Sequence, residues 1–384
     1  MTVRGEVAPG YEGVRQAFEH NLAAEGEVGA TVCVYRHGEK VVDLWGGVAD
    51  SGGGPYGHDT SQIVFSTSKG LVAICAHLLA QRGLLDLDAP VARYWPEFAA
   101  AGKESIPVSW VLSHRSGLVG IDRPVTWEDV LAGTPVLESL AAQAPAWEPG
   151  TAHGYHPLTI GFIVAEVVRR ITGLSLGQFF AAEVASPLGL DAWIGLPPAE
   201  EHRVAPLIDF PPERPDEFFT AEQEPGTLPA RAFTNPQISI PLFNEPATHR
   251  AEIPAANAIV NASSLARLYA SCIGVLDGVR LLDQSTVDAA RTMQAVGPDL
   301  VLPQYTSYGL GFLLPTPWLR MAGPGSFGHD GLGGSLGFAS PELGLAFGYV
   351  MNQCLSYIDG DPRSERLVAA TLRCVDEIDA KGDR

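Results

Sequence analysis

The segment Ser66-Thr67-Ser68-Lys69 stands at the start of a long apolar run, and it decides how the rest of the chain is interpreted. Apolar residues recur beyond it at helical spacing, which predicts a helix over residues 67–82. Because positions i and i+3 share one helix face, we expect Lys69 to lie against Ser66. A serine hydroxyl becomes a good nucleophile when a neighbouring base takes its proton. The unpaired amides at a helix start, that of Ser66 among them, can also stabilise an oxyanion.

Two segments further along the chain supply candidate partners. Tyr155 lies in a loop just before a predicted helix over residues 158–171, where its phenol can enter a cleft and transfer protons. The glycine-rich stretch 327–335 contains His329, which can donate a hydrogen bond to the tyrosine or to substrate. Its glycines, Gly331 among them, permit close approach of the backbone to a ligand. The amide of Leu332 is a candidate second donor of an oxyanion hole.

The motifs Ser66-x-x-Lys69, Tyr155 and His329-x-Gly331, in this order, resemble those of the serine β-lactamase and penicillin-binding-protein superfamily. The nearest resemblance is to the class C β-lactamase-like carboxylesterases of family VIII, supported by residues 112–118, 149–150 and 337–352. The resemblance implies an α+β fold in which helices flank an antiparallel sheet and a large, mostly helical region is inserted. It also implies Ser66 as the acylated nucleophile, Lys69 as general base and Tyr155 as proton relay.

Two positions depart from the pattern of the superfamily's β-lactamases and peptidases. Pro157 stands where they usually carry the asparagine of Tyr-x-Asn, and its side chain cannot form hydrogen bonds. His329-Asp330-Gly331 replaces the usual Lys-Thr-Gly. A lysine's fixed charge suits a substrate carboxylate, whereas a histidine can be neutral at pH 7. Both changes favour a small or short-chain ester that lacks a carboxylate beside the scissile bond.

Composition narrows the function classes. The chain has 384 residues and a net charge of −19, which disfavours binding to nucleic acid and to anionic membranes. No apolar stretch is long enough to span a bilayer, and the first residues lack the apolar core of a signal peptide. Five widely spaced cysteines are typical of free buried thiols. We therefore expect a cytoplasmic enzyme acting on a small-molecule ester without metal or organic cofactor. The oligomeric state is not predicted.

The order of predicted elements divides the chain. Residues 1–65 and 296–384 are expected to form a sheet domain, with a hairpin over residues 30–45 and further strands at 308–314, 337–339 and 345–351. Residues 66–295 are expected to form a mostly helical domain. Within that region residues 196–250 are rich in proline, acidic and aperiodic. We interpret this Pro-rich segment as a rim or lid over the site.

Several alternatives stay open at this stage. Ser335 lies in a G-x-S-x-G match, but strand-like sequence follows it where a nucleophile elbow needs a helix. His153-x-x-His156 lacks a third metal ligand. Lys69 and Tyr155 are both candidates for the general base, and the pair can titrate as a unit. Rival functions are an acyltransferase, a β-lactamase, a D-amino-acid peptidase and a catalytically silent ligand-binding relative.

Overall fold

The computed structural model describes residues 2–50, 52–212, 223–357 and 359–382. Its strands are β1 Val3–Val7, β2 Gly29–Arg36, β3 Glu39–Gly47, β4 Gln62–Ile63, β5 Ala192–Trp193, β6 Ile259–Val260, β7 Ala295–Pro298, β8 Tyr305–Tyr308, β9 Phe327–Asp330, β10 Leu336–Ser340 and β11 Leu345–Met351. The α-helices are α1 Glu12–Ala24, α2 Ser68–Gln81, α3 Val108–Leu112, α4 Trp127–Ala132, α5 Thr134–Ala142, α6 Thr159–Thr172, α7 Leu176–Phe180, α8 Ser186–Leu188, α9 Leu228–Phe233, α10 Ile240–Phe243, α11 Pro246–Arg250, α12 Ala262–Ile273, α13 Gln284–Ala290 and α14 Pro362–Gly382.

Both ends of the chain contribute to one antiparallel sheet. Among the described residues it has six strands in the order β1-β3-β2-β11-β10-β9. The predicted hairpin is confirmed as β2 and β3, and its two turn residues, His37 and Gly38, both have positive φ, at 48° and 84°. That conformation matches the twist of paired strands. The pairing of β2 with β11 then joins the N-terminal strands to the C-terminal ones.

Alternation along the central strand sends side chains to two cores. Val32 and Val34 of β2 pack in the cluster that includes residues of α1 and α14. Cys33 and Tyr35 point the other way, into the larger cluster beneath α12 and the helical region. Both faces of the sheet are therefore covered, and the predicted α+β fold is confirmed. The division into two domains at residues 65/66 and 295/296 stays a prediction.

The helix that follows the serine motif is buried on almost every side. Twelve of the fourteen residues of α2 are buried, and a helix that is apolar all round belongs in a protein interior. It packs against α6 and α7. Because Lys69 lies in the first turn of this helix, its side chain is carried into the protein rather than toward water.

Two predictions of secondary structure differ from the fold. Residues 308–314 were expected as one strand, but β8 ends at Tyr308. Gly311 then has φ +88°, and a Cβ there would lie 2.6 Å from that of Ala73. The Pro-rich segment contains helices α9, α10 and α11, each with a proline in its first two positions. Proline is favourable at a helix start because the missing N–H would have no helical partner there. Residues 213–222 of this segment lie outside the described residues.

Two further findings concern the predictions from composition. All five cysteines are free and buried, as expected. Among the helices of the described ranges, none combines the length and apolar composition that crossing a bilayer requires.

The contact of α12 with the sheet predicts a strict requirement for glycine at position 348. A Cβ on Gly348 would lie 2.5 Å from the carbonyl oxygen of Ala262 and 2.8 Å from the amide of Ala266, so the helix backbone would have to move. We expect Gly348→Ala to lower the free energy of unfolding by about 1–3 kcal/mol, measured by denaturant titration. Gly274→Ala is the control, because its new methyl would lie an ordinary 3.6 Å from the nearest atom. Equal stability of the two variants would contradict this account.

Candidate active site

Ser66 is presented by a strained bend between β4 and α2. Phe65 adopts a φ of 43°, which is uncommon for a residue other than glycine. Residues 65–67 then form one turn of 3₁₀ helix that leads directly into α2. The neighbours Phe65 and Thr67 are buried while Ser66 is partly exposed. The bend therefore aims one hydroxyl out of an otherwise buried turn.

Lys69 meets Ser66 as the spacing predicts. Its Nζ lies 3.0 Å from Ser66 Oγ, 2.8 Å from the carbonyl oxygen of Pro157 and 3.1 Å from that of Ala255. The residue is 2% exposed, and burial holds the pKa of its amine well below the ordinary range, with only the Coulomb field of Asp330 acting in the opposite direction. A neutral amine has two N–H donors and one lone pair. The two carbonyls accept from the donors, and the lone pair is left for the serine hydroxyl.

Tyr155 completes a three-membered cluster. Its hydroxyl donates to Ser66 Oγ at 2.5 Å, and Lys69 Nζ lies 4.7 Å from the centre of its ring. Burial raises the pKa of the phenol, against the hydrogen bond with Ser66, and the charges of Asp330 and Asp299 raise it further. The phenol is therefore neutral and able to give a proton.

Asp299 positions Tyr155, and the sequence analysis did not identify it. Its Oδ1 accepts from the backbone amide of Tyr155 at 2.9 Å and from two amides of its own loop. Its Oδ2 accepts from the hydroxyls of Thr306 at 3.0 Å and Tyr308 at 3.1 Å. One carboxylate thus fixes the loop that carries Tyr155 to the hairpin of β7 and β8. An Asp in an irregular loop, far from Tyr155 in sequence, gives no local signal of this role.

Three polar residues form the wall behind Tyr155. His114 Nδ1 accepts from the amide of His156 at 3.0 Å, and its ring packs 5.2 Å from that of Tyr155, centre to centre. Ser116 Oγ lies 2.8 Å from His156 Nε2. Burial lowers the pKa of both imidazoles, to about 4 for His156. These contacts fix the backbone of His156, next to Tyr155, against the loop that carries His114 and Ser116.

The glycine-rich stretch places three predicted residues beside Ser66. His329, Gly331 and Leu332 line the same pocket as Ser66 and Tyr155. A Cβ on Gly331 would lie 2.2 Å from the carbonyl oxygen of Val64, so only glycine fits there. Within the described part of the chain, the amides of Ser66 and Leu332 donate to no backbone carbonyl and to no side chain. Both are therefore available to an oxyanion.

His329 has the opposite hydrogen-bonding polarity to the one expected. Its Nδ1 lies 2.7 Å from the carbonyl oxygen of Asp330, and because a carbonyl only accepts, Nδ1 carries the proton. Burial lowers the pKa of the ring, so the neutral form dominates and Nε2 is an acceptor. Nε2 is buried without a hydrogen-bond partner among the described residues. A neutral ring in this tautomer offers an acceptor at Nε2, and the donation to Tyr155 or substrate stays a prediction.

A buried ionic cluster holds the glycine-rich stretch from behind. Arg363, at the start of α14, is 0% exposed. Its Nη2 donates to the carbonyl oxygen of Gly333 at 2.5 Å, and its Nη1 donates to that of Gln353 at 2.9 Å and to Glu27 Oε1 at 3.3 Å. Burial raises the pKa of Glu27 to about 7, although Arg363 opposes the rise. Gly333, the residue after Leu332, is thus linked through Arg363 to helix α14 and to Glu27 near the start of the chain.

The two alternative sites from the sequence do not form. Ser335 is 1% exposed, and its hydroxyl donates to the carbonyl oxygen of Val64 at 2.9 Å. Its side chain braces the bend that carries Ser66. His153 Nε2 lies 3.1 Å from Thr306 Oγ1. Across the described ranges, no group of three or more His, Cys, Asp or Glu side chains is arranged to hold a metal ion.

Ser66 lies where two pockets meet. The wide pocket is lined by Tyr155, His329 and Trp318 together with other polar and apolar side chains. The narrow pocket has only apolar side chains apart from Ser66. Ser66, Phe233 and Leu332 line both.

The fold and this arrangement of side chains are those of a serine hydrolase. A family model described as beta-lactamase matches residues 14–370, and the chain therefore belongs to the beta-lactamase family.

Its relatives include esterases. The esterase/beta-lactamase LipL of Mycobacterium tuberculosis is 36% identical over 377 residues, which cover 92% of this chain and 84% of LipL. The crystal structure of a family VIII carboxylesterase is 39% identical with a TM-score of 0.89, covering 97% of this chain and 100% of that one. EstA from Arthrobacter nitroguajacolicus is 34% identical with a TM-score of 0.87, covering 98% and 100% of the two chains. The resemblance to family VIII carboxylesterases is thus confirmed.

The contacts of Asp299 predict that its loss is more costly than that of a surface carboxylate. Asp299→Ala leaves the amide of Tyr155 and two hydroxyls without their acceptor, so we expect a loss of about 1–3 kcal/mol in the free energy of unfolding. Asp288→Ala, which removes an exposed partner of Arg291, should cost about 0.5 kcal/mol or less. Thermal unfolding of both variants tests this. An Asp299→Ala protein as stable as the control would show that Tyr155 is positioned by other contacts.

Proposed function

We propose that this protein is a carboxylesterase that hydrolyses small esters through an acyl-enzyme on Ser66. The observation that carries the proposal is the approach of two buried groups to one hydroxyl: Tyr155 Oη at 2.5 Å and Lys69 Nζ at 3.0 Å from Ser66 Oγ. One is an amine whose pKa is lowered by burial, and the other is a phenol whose pKa is raised. Opposite shifts of this kind assign the base and the acid.

Acylation follows from these assignments. The lone pair of Lys69 takes the proton of Ser66 while Oγ bonds to the ester carbonyl carbon, and the oxyanion is held by the amides of Ser66 and Leu332. The bond to the alcohol oxygen then breaks. Tyr155 gives its proton to the leaving alkoxide and is reprotonated from the Lys69 ammonium. The alcohol leaves, and the acyl-enzyme remains with Lys69 neutral again.

Deacylation uses the same groups in reverse. Water takes the place of the alcohol beside Tyr155. It attacks the acyl carbon and passes its proton through Tyr155 to Lys69. The bond to Ser66 Oγ breaks, and Oγ recovers its proton from the Lys69 ammonium. Lys69 and Tyr155 recover their starting protonation states within each half, and Ser66 regains in deacylation the proton that it lost in acylation, so the cycle consumes only ester and water.

Two features support an uncharged ester as substrate. Pro157 offers its carbonyl to Lys69 but has no side-chain amide for a substrate. His329 is neutral and directs its proton to the backbone, so it offers no positive charge to a carboxylate. A cytoplasmic location is part of the proposal, on the basis of five free, buried cysteines.

Hydrolysis of β-lactams is the second candidate. The name of LipL joins esterase and beta-lactamase, and the Ser66 cluster can open a strained lactam by the same steps. Pro157 stands where an asparagine would supply an amide donor, and His329 stands where a lysine would supply an ammonium donor. Both differences favour esters over β-lactams. Acyl transfer to an alcohol instead of water stays open, because it differs in which nucleophile reaches the acyl-enzyme.

The identity of the nucleophile can be tested by mutation. We expect p-nitrophenyl acetate to be hydrolysed by the wild type, and Ser66→Ala to lower kcat by at least about 10³-fold. Ser335→Ala is the matched control, and it should keep kcat within about tenfold because its hydroxyl faces a backbone carbonyl. A chromogenic cephalosporin assayed in parallel should be turned over far more slowly. An inactive Ser335→Ala with an active Ser66→Ala would refute the proposal, and equal use of both substrates would favour the β-lactamase candidate.

The assignment of Lys69 as base also predicts how kcat/KM depends on pH. Lys69 acts as a base only when neutral, that is, above its folded pKa, which burial lowers from the ordinary value. We therefore expect kcat/KM to rise with pH and to level off well below pH 10. Lys69→Arg, whose guanidinium stays protonated throughout, should lose at least about 10²-fold in kcat/KM and the rising limb with it. A wild-type rate that falls as pH rises would make neutral Lys69 untenable as the base.

A further inference from the structure

The turn that carries Leu332 has little rigidity of its own. Residues 331–334 are glycine at every position except Leu332, and the amide of Gly334 closes the turn by donating to the carbonyl oxygen of Gly331 at 3.0 Å. Gly333 has a φ of 86°, and a glycine backbone has several other conformations of similar energy. The direction of the Leu332 amide must therefore be fixed by contacts from outside the turn.

We infer that Arg363 is a positioning residue of the oxyanion hole. Its side chain holds the turn 331–334 in the shape that directs the amide of Leu332 toward the reacting carbonyl. Arg363 lines neither of the pockets at Ser66, so it acts on the reaction without touching the substrate. This role rests on the proposed esterase activity of Ser66.

The arginine fixes the peptide plane that follows Leu332. Nη2 of Arg363 donates to the carbonyl oxygen of Gly333 at 2.5 Å, and the amide of Leu355 donates to the same oxygen at 3.2 Å. Both lone pairs of that oxygen are then used. A Cβ on Gly334 would lie 2.4 Å from Nη2, so the guanidinium also packs directly against the backbone of the turn. Rotation of the peptide between Gly333 and Gly334 would break both hydrogen bonds.

The guanidinium is itself held in one orientation. It is 0% exposed, and each of its five N–H donors has an acceptor. Nε and Nη2 donate to the carboxylate of Asp361, Nη2 also donates to Gly333, and Nη1 donates to Glu27 Oε1 and to the carbonyl oxygen of Gln353. The backbone carbonyl of Arg363 accepts from Asn21 Nδ2 at 3.0 Å. Because hydrogen bonds from a buried cation are stronger than those between neutral groups, the arginine is a rigid support.

A support of this kind affects the transition state more than the bound ester. The oxyanion exists only while the tetrahedral intermediate forms and collapses, and this happens in acylation and in deacylation. A Leu332 amide that points elsewhere therefore slows both halves of the cycle, while the groups that bind the ground-state ester stay in place. We expect the loss of Arg363 to lower kcat and to leave KM nearly unchanged.

The test compares Glu27→Gln with the double variant Glu27→Gln/Arg363→Met. Changing both partners of the buried pair avoids leaving a lone carboxylate in the interior, which could by itself prevent folding. For hydrolysis of p-nitrophenyl acetate, we expect the double variant to have a kcat at least about tenfold below that of Glu27→Gln and a KM within about threefold. This loss is a part of the roughly 10²–10³-fold that removal of an oxyanion donor costs.

Inhibition by phenylboronic acid is the second readout. Its boron bonds to Ser66 Oγ and becomes tetrahedral, which places a boron-bound oxygen where the oxyanion forms. The inhibition constant should therefore rise by about the same factor as kcat falls. A merely structural role of Arg363 would not link these two quantities.

Two further variants complete the test. Arg363→Lys retains the charge, but one ammonium cannot satisfy all the acceptors of the guanidinium, so kcat and boronate affinity should both fall at least about threefold. Glu166→Gln is the matched control, because it changes a buried carboxylate that pairs with Arg169 and Arg170 on α6 of the helical region. In this control both quantities should stay within about twofold of the wild type.

This role of Arg363 is excluded if the double variant has the same kcat as Glu27→Gln. It is also excluded if kcat falls while the boronate constant is unchanged, because the arginine would then act elsewhere than on the oxyanion hole. A KM that rises at constant kcat would place its effect in substrate binding and contradict the role as well. If the double variant does not fold, the same comparison between Arg363→Lys and the wild type decides. A wild type inert toward every ester would instead refute the proposed function, on which this role rests.

Discussion

The site depends on one buried amine, Lys69, that has no paired carboxylate among the described residues. Lys69 is fixed by the carbonyl oxygens of Pro157 and Ala255, and neither carries the full negative charge that would stabilise an ammonium. Desolvation therefore acts nearly unopposed, and the neutral form is favoured. The same two carbonyls join helix α2 to the loop before α6 and to the loop before β6. Close packing preserves the arrangement, because a Cβ on Gly161 would lie 2.4 Å from the amide of Ala255.

The use of a backbone carbonyl explains how a proline at position 157 can still accept a hydrogen bond from Lys69. A proline lacks the amide proton and has no polar side chain, but its carbonyl is unchanged. The hydrogen bond to Lys69 uses that carbonyl. The position thus keeps its backbone hydrogen bond with Lys69 while its side chain becomes one wall of an apolar pocket. The pocket wall and the hydrogen bond to Lys69 are formed by different atoms of the same residue, so the side chain can change while the hydrogen bond persists.

Sequence analysis identified the residues that are related by local spacing and missed the residues whose contacts lie far away in the sequence. Ser66 and Lys69 are one helical turn apart, and geometry alone places them together. Tyr155 and His329 stand beside local markers, a helix start and a glycine-rich stretch, but resemblance to a family was needed to join them to Ser66. Asp299 and Arg363 were missed because their partners are far away in sequence. The polarity of His329 depends on a carbonyl whose direction only the fold reveals. Prolines that begin helices α9 to α11 were interpreted as loop-formers, which hid the walls of the narrow pocket.

The grip of Arg363 on Gly333 has a consequence for how the enzyme comes into being. The arginine lies on the last helix, and its partner Glu27 lies before the second strand, so Ser66 is synthesised long before the arginine that holds the residue after Leu332. A nascent chain, or one truncated before α14, has Ser66 and Lys69 but lacks the brace behind Leu332. The brace behind Leu332 therefore forms only after the last helix has been synthesised.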